Sequence, residues 1–265
     1  MTFQLQSDAA QMYEKVLVPY WFDHWAKALL DIAKPDIGDT VLDIACGTGV
    51  TTRLAKKIVG DKGKVSGLDV NASMLIRARE LADGLGINWI ESDVCDNGLY
   101  GSHYDINLSQ QGYQYFPDKP RALRELYRLL SPGGKLIFSV WDGQCAYTQA
   151  VCDALKKYIS PEVADVQRRQ RETPSRAELE YELVRAGYID VKVERHEILI
   201  TIPPAQEFVP LHLACMPIGL EFQKLDETKK QRFIKDVEHA MEKFSEGAHL
   251  VYPDAVNVAI SSKDN

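Results

Sequence analysis

The sequence predicts an α/β protein built on a mostly parallel sheet with helices on both faces. Three observations point to it. Seven runs read as strands, apolar stripes of helical spacing lie between the first and second, second and third, and fourth and fifth, and the first strand runs directly into a glycine turn, Cys46-Gly47-Thr48-Gly49. Strands alternating with helices of this length form right-handed crossover units on a parallel sheet, with ligands at the carboxyl ends of the strands.

The elements follow in order. The amino-terminal segment is polar at first, then carries Trp21, Trp25, Ala28, Leu29 and Ile32 at helical spacing, and Pro35 to Asp39 closes it. Val41 to Ala45 is the first strand. Val50, Leu54, Ala55 and Ile58 mark a helix ended by Gly60, and Lys64 to Asp69 is the second strand. Met74, Leu75, Ala78, Leu81, Ala82 and Leu85 make a helical stripe with Ser73 as its cap. Asn88 to Ser92 and Tyr104 to Leu108 are the third and fourth strands. Leu123, Leu126 and Leu130 share a helix face that Ser131-Pro132-Gly133-Gly134 terminates, and Leu136 to Val140 is the fifth strand. A helix bearing Leu179, Leu183 and Val184 follows Pro174, then a strand-like run from Asp190 to Ile202. Phe233, Ile234, Val237, Met241 and Phe244 mark an amphipathic helix entered at Asp226, and Val256 to Ser261 is the last strand. The helical segment between the last two strands is either a lid or a packing element at the sheet edge.

Composition narrows the function. The chain of 265 residues has a formal net charge of −7, which gives no electrostatic reason to bind nucleic acid. No apolar run approaches the roughly 20 residues needed to cross a bilayer, and no secretory leader is evident. Cys46, Cys95, Cys145, Cys152 and Cys215 are scattered and odd in number without a CxxC pair, which fits a reduced, cytoplasmic protein and no structural zinc. No metal site is expected.

The glycine turn can hold a dinucleotide, a phosphate or the methionine half of an S-adenosyl cofactor. A phosphate loop needs Lys then Ser or Thr after its second glycine, and Val50-Thr51 stands there. A dinucleotide fingerprint needs a third glycine where Thr52 stands. Asp43, inside an otherwise apolar strand, is costly unless partnered. A cofactor with a sulfonium and an ammonium group has use for it, because a carboxylate beneath the loop offsets positive charge and orders the turn amides. The run Asp43-x-Ala45-x-Gly47-x-Gly49 therefore favours S-adenosylmethionine (SAM).

The stretches "GDTVLDIACGTG", "GKVSGLDVNASMLIRARE", "IESDV", "YDINLSQQGYQYFPD" and "ALRELYRLLSPGGKLIFSVW" resemble, in order, the class I SAM-dependent methyltransferases. Within them the chain resembles the type 11 group related to ubiquinone and menaquinone biosynthesis enzymes, from about Asp39 to Trp141 and less strongly beyond. The resemblance implies a Rossmann-like fold with a mostly parallel seven-stranded sheet, amino-terminal helices, and a helical insertion before the last strand. With no repeat and no low-complexity linker, the chain reads as one methyltransferase domain over 1–265: a helical cover (1–38), a SAM-binding core (39–202), the insertion (203–250), and the last strand and tail (251–265). The resemblance also implies cofactor roles. Gly47 and Gly49 would let the backbone approach the methionine moiety, with Asp43 beneath. Asp69 would take the ribose hydroxyls, Val70 would flank the adenine and Met74 pack on its face. Asp93 would receive the adenine amino group, and Val94 would donate its N–H to the ring. Ser109 and Gln110, just past the fourth strand, would meet the methionine amino group.

Methyl transfer is an in-line displacement that needs alignment and exclusion of water, and a base only where the acceptor loses a proton. No base stands out. His24, Gln111 and Tyr113 are the candidates for a catalytic part, while His103, His196 and His212 suit loop, strand and lid positions. Gln111, Tyr113, Tyr115 and Trp141 could line an acceptor pocket, closed by Tyr13, Tyr20 and Trp21 on one side and Phe208, His212 and Met216 on the other. The expected acceptor is a small organic molecule attacked at O, N or C, and the product cofactor is S-adenosylhomocysteine (SAH). The "SQQG" after the fourth strand lacks the Asn/Asp-Pro-Pro-aromatic tetrapeptide of enzymes that methylate base amino groups. A non-catalytic SAM-binding module and an enzyme acting on a macromolecule are the alternatives, and the oligomeric state is open.

Overall fold

The computed structural model describes residues 7–101 and 103–265. The expectation of a helical start for residues 1–6 lies outside the described residues. The described residues begin with α1 (Ser7–Leu17), a π-helical turn (Val18–Phe22) and α2 (Asp23–Ala33) in one run. The chain continues through β1 (Thr40–Ile44), α3 (Val50–Val59), β2 (Lys64–Asp69), α4 (Ala72–Leu81), β3 (Asn88–Glu91), β4 (Tyr104–Gln110), α5 (Lys119–Leu129) and β5 (Leu130–Trp141). Then come α6 (Ala146–Tyr158), α7 (Pro161–Arg169), α8 (Arg176–Arg185), β6 (Ile189–Ile202), α9 (Ala205–Ala214), α10 (Gly219–Gln223), α11 (Glu227–Met241), the two-residue β7 (Ser245–Glu246) and β8 (His249–Ser262).

The sheet order is β3-β2-β1-β4-β5-β8-β6, with β7 paired only to β8. The first five strands run parallel, and β8 lies antiparallel between β5 and β6. This is the expected mostly parallel sheet, with β7 as a small addition to the seven strands of the main order.

Alternation along each strand sets the two faces. Val41, Val65, Ile106 and Ile137 pack with Trp25, Leu29 and Ala55 of α2 and α3. Leu42, Ile44, Leu68 and Phe138 pack on the other face with Leu123 and Leu126 of α5 and Leu179 and Leu183 of α8. A third core lies beyond the sheet, where Leu17 and Trp21 meet Tyr147 and Val151 of α6, Phe208 and Leu213 of α9, and Phe233 and Val237 of α11.

Four features differ from the sequence reading. The run between Trp141 and Pro174, which received no element, folds into α6 and α7. Ser131 to Gly134 does not separate helix from strand: Tyr104 pairs Leu130 and Ile106 pairs Lys135, so those four residues bulge from within β5. Ser109 and Gln110 lie inside β4 and not past it. The last strand begins at His249, seven residues before Val256. Pro253 argues against strand there, but it sits where β8 has β6 alone as neighbour, so its missing N–H breaks no central ladder.

Beyond Trp141 the β6–β8 pair continues as a two-stranded ribbon, from Glu197↔Ala255 to Ile202↔Leu250. The segment from α9 to α11 springs from its end.

Candidate functional site

A cavity of about 530 Å³ lies at the carboxyl ends of β1, β2, β4 and β5. Its floor is built by the turns that leave these strands. Ala45 and Gln111, directly after β1 and β4, both border the cavity and both have positive φ, 54° and 48°. For residues with a side chain this conformation costs about 1–2 kcal/mol each, and such strain collects where a backbone must serve a ligand.

Gly47 (φ 56°) borders the cavity, and a Cβ placed on it would meet no atom within 4 Å. Its N–H donates to Asp69 Oδ2 at 2.8 Å, while the Asn71 N–H donates to Asp69 Oδ1 at 2.8 Å. Burial pushes the Asp69 carboxyl upward against these two bonds. Asn71 then caps α4, accepting from the Ser73 and Met74 N–H groups; the cap is thus Asn71 and not Ser73.

Of the residues expected at the cofactor, Gly47, Asp69, Val70, Met74, Asp93, Val94 and Gln110 line this one cavity. Asp93 Oδ1 accepts the Cys95 N–H at 2.7 Å, which fixes the loop after β3. Asp43, Gly49 and Ser109 stand outside the lining. Asp43 shares the face of Val41, so its carboxylate turns toward α3, where Oδ2 accepts from Thr52 Oγ1 at 2.5 Å. Burial raises its pKa to about 7. The turn amide of Gly47 is held by Asp69, two strands' chemistry having been exchanged relative to the expectation that Asp43 orders it. Gly49 (φ 80°) faces Trp89: a Cβ there would stand 2.4 Å from Cη2 of that indole. Ser109 is buried, with its hydroxyl unpaired.

Gln110 joins three elements. It accepts from Thr51 Oγ1 at 2.5 Å and donates to the Phe22 carbonyl at 2.8 Å, tying α3 to the π-helical turn. Arg53 adds a second tie to α1, donating to Glu14 Oε1 at 2.7 Å. Tyr13, stacked on Phe22 with centroids 5.0 Å apart, closes this side of the cavity together with Leu17 and Trp21.

The opposite wall comes from later in the chain. His212 and Met216, from the segment between β6 and β8, line the cavity. Gln111, Tyr115 and Trp141 line it too, whereas Tyr20 and Phe208 pack behind. Two of the three catalytic candidates lie elsewhere. Tyr113 is buried against Phe138 and donates to Glu182 Oε2 at 2.5 Å. The 3₁₀ turn Tyr113–Tyr115 sends residues two apart in different directions, so Tyr115 takes the cavity side. His24 stands on the exposed face of α2. Gln111 remains, its Nε2 donating to Ser139 Oγ at 2.9 Å. His103 is exposed and His196 is half-buried beside Glu194.

Thr148, Gln167 and Arg171 also line the cavity and had no sequence signal. Arg171 donates to both carboxylate oxygens of Asp254, at 2.9 and 2.5 Å, and to the Gly143 carbonyl at 3.1 Å. Its guanidinium lies 4.0 Å from the Trp141 ring centroid. Only the fold brings these residues, 83 positions apart, together. Among the described residues no cluster of His, Cys, Asp and Glu could hold a metal, and no helix is long and apolar enough to cross a membrane.

Residues 41–134 match the methyltransferase domain family, and the sheet with its helices is the Rossmann-like fold of solved methyltransferases. The chain is related to the ubiquinone and menaquinone methyltransferases. It is 41% identical over 107 residues to the 2-phytyl-1,4-naphtoquinone methyltransferase of Synechococcus elongatus, covering 39% of this chain and 45% of that protein. It is 37% identical over 117 residues to the ubiquinone/menaquinone biosynthesis C-methyltransferase of Shewanella woodyi, covering 43% and 47%. The chain thus spans about half the length of the curated relatives it matches. Among solved structures, phosphoethanolamine N-methyltransferase 2 of Haemonchus contortus, in complex with phosphomonomethylethanolamine and SAH, superposes with a TM-score of 0.61 at 19% identity, over 98% of this chain and 58% of that one. A SAM-dependent methyltransferase of Aquifex aeolicus superposes with a TM-score of 0.54 at 17% identity, over 96% and 99%. These likenesses concern the fold.

Proposed function

We propose that the protein transfers a methyl group from SAM to a small organic molecule. The observation that carries this is the charge of the cavity floor. Asp69 and Asp93 line it at the ends of β2 and β3, and no Lys or Arg from β1 to β3 or their following turns does. Those carboxylates suit a cationic adenosyl cofactor, Asp69 alone serving any adenosine ribose. The open space beside Gly47 fits the same ligand, because a side chain there would fill the cradle.

In this reading Asp69 holds the ribose hydroxyls, and Met74 and Val70 lie on the adenine faces. Asp93 and Val94 take its polar edge, and Gln110 lies at the methionine end. Asp43 and Gly49 act one layer back, shaping α3 and its approach. When bound, the cofactor supplies an activated methyl group whose carbon–sulfur electron pair returns to sulfur as the acceptor forms its bond to carbon. The protein's part is alignment and water exclusion: Tyr13, Leu17 and Trp21 from one side and His212 and Met216 from the other close over the site. The chain divides functionally into cover (1–38), core (39–202), lid (203–250) and last strand with tail (251–265). A cytoplasmic location and an acceptor other than nucleic acid complete the reading, supported by five unpaired, buried cysteines and the net negative charge.

Calorimetry with SAH tests the cofactor: Asp69→Ala and Gly47→Val should each abolish binding, and unchanged affinity in both would refute the assignment. Incubation with methyl-labelled SAM and metabolite extracts tests the activity. Binding without any labelled product would instead identify a non-catalytic module.

A further inference from the structure

The reading above leaves the acceptor's chemical class open, and the wall formed by β5, α6, α7 and α9 speaks to it. We propose that this wall selects an uncharged acceptor bearing a hydroxyl or carbonyl oxygen, which His212 of α9 reads through Nε2 while Tyr147 holds the ring in position. The proposal rests on the methyltransferase reading and deepens it.

The first ground is charge. Arg171 is the cation on this wall, Lys119, the other cation lining the cavity, belonging to α5; Asp254 already matches Arg171 through two hydrogen bonds, and the two side chains are 7% and 1% exposed. An anionic acceptor therefore meets a compensated pair, and gaining Arg171 would require leaving Asp254 buried without its partner. A cationic acceptor meets Arg171 with no uncompensated carboxylate beside it. Both signs of charge are disfavoured where a neutral oxygen is not. Thr148 and Gln167 extend the same wall with neutral side chains.

The second ground is how His212 is held. Its Nδ1 lies 3.1 Å from the Tyr147 hydroxyl, and its ring stacks on Phe208 at 11° and meets Trp21 edge-on at 5.3 Å. The ring is fixed on three sides, is 3% exposed and borders the cavity, which leaves Nε2 as the polar atom for a ligand. Burial, with Arg171 nearby, lowers the His212 pKa to about 3, so the ring stays neutral through the physiological range. A neutral imidazole is a donor or an acceptor according to its tautomer, which suits a hydroxyl or a carbonyl equally. Tyr147 acts through His212 and is a positioning residue.

The test compares three matched panels of small aromatic acceptors with methyl-labelled SAM: neutral hydroxylated compounds, their carboxylates and their aminoalkyl analogues. SAH binding is measured first by calorimetry. The wild type should favour the neutral panel at least tenfold in kcat/KM. His212→Phe should lose at least tenfold for that panel, mainly through KM, with SAH affinity and Tm preserved. His212→Gln should recover part of the loss, because it restores a neutral hydrogen-bonding group. Tyr147→Phe, which removes only a hydroxyl, should fall between. A wild-type preference for either charged panel, no transfer to any neutral compound despite SAH binding, or His212→Phe within threefold of wild type would overturn the proposal and leave the methyltransferase reading standing. Absence of SAH binding in the wild type would overturn both.

Discussion

Gly47 and Gly49 occupy one turn and should fail in different ways. Alanine at Gly49 would force a left-handed φ of 80° on a residue with a side chain, costing about 1–2 kcal/mol. Its Cβ would also stand 2.4 Å from Cη2 and 3.0 Å from Cζ3 of Trp89. The indole cannot slide away, since its Cζ3 and Cε3 already fill the place of a side chain at Gly67, 2.5 and 2.7 Å from a Cβ there. Overpacking of this kind adds about 1–3 kcal/mol. The total for Gly49→Ala is about 2–5 kcal/mol, a fall in Tm of roughly 5–15 °C for a chain of this size. Alanine at Gly47 carries only the backbone cost, about 1–2 kcal/mol, because its Cβ meets nothing. It sits at the cradle, however, so its loss should appear in SAH affinity, at least tenfold by calorimetry. Thermal melts and SAH titrations of the two variants decide the matter. A Tm within 2 °C of wild type for Gly49→Ala, or a Gly47→Ala variant with unaltered SAH affinity, would refute the division of labour drawn here.

Three further outcomes are expected. Asp43 has its pKa raised from 3.8 to about 7 by burial, so the stability it contributes is fully present below about pH 4 and is lost as pH rises through 7; the difference corresponds to about 4 kcal/mol. Asp43→Asn should therefore gain on wild type in urea unfolding between pH 5 and pH 8, and an equal difference at both pH values would contradict it. Asp254→Ala leaves Arg171 buried without its counter-ion and should cost about 3–5 kcal/mol in the same assay, with Arg171→Met/Asp254→Leu recovering part of the loss; a single variant as stable as wild type would show the pair to be irrelevant. Gln110→Leu removes the bonds to Thr51 and the Phe22 carbonyl, worth about 1–2 kcal/mol, and should speed amide hydrogen exchange across α1 and α2; unchanged protection there would argue against the tie.

The part of the cavity lining that follows β1, β2 and β3 was legible in the sequence because its signals are local. β2 matches the predicted run from Lys64 to Asp69, and the glycine turn, Asp69, Met74 and Asp93 follow strands whose period is plain in the residues. What escaped depends on direction or distance. Asp43 reads as a carboxylate near the turn, but the strand alternation that places Val41 against α3 also carries Asp43 there, to Thr52. Tyr113 and Tyr115 look alike as aromatic residues after a strand, and only the tight turn decides which enters the cavity. Arg171 and Asp254 belong to elements that meet only through the sheet order, and no spacing announces them. The last strand starts at His249 and not at Val256 because the residues do not reveal that the β5 ladder stops at Val256 while β6 continues alone past Pro253.

The ribbon has a consequence for how acceptor preference can change. Ile202 and Leu250, where the chain leaves and rejoins it, are direct partners across the strands. The 47 residues between, positions 203–249, therefore begin and end side by side, and the entropy of closing such a loop depends only weakly on its length. A longer, shorter or unrelated segment could be spliced at those two positions without altering the register of the sheet or the turns after β1 and β2. A replacement would still have to cover Trp21, Tyr147 and Val151 as α9 and α11 now do, so the two anchor positions leave the length of the segment free but not its apolar face.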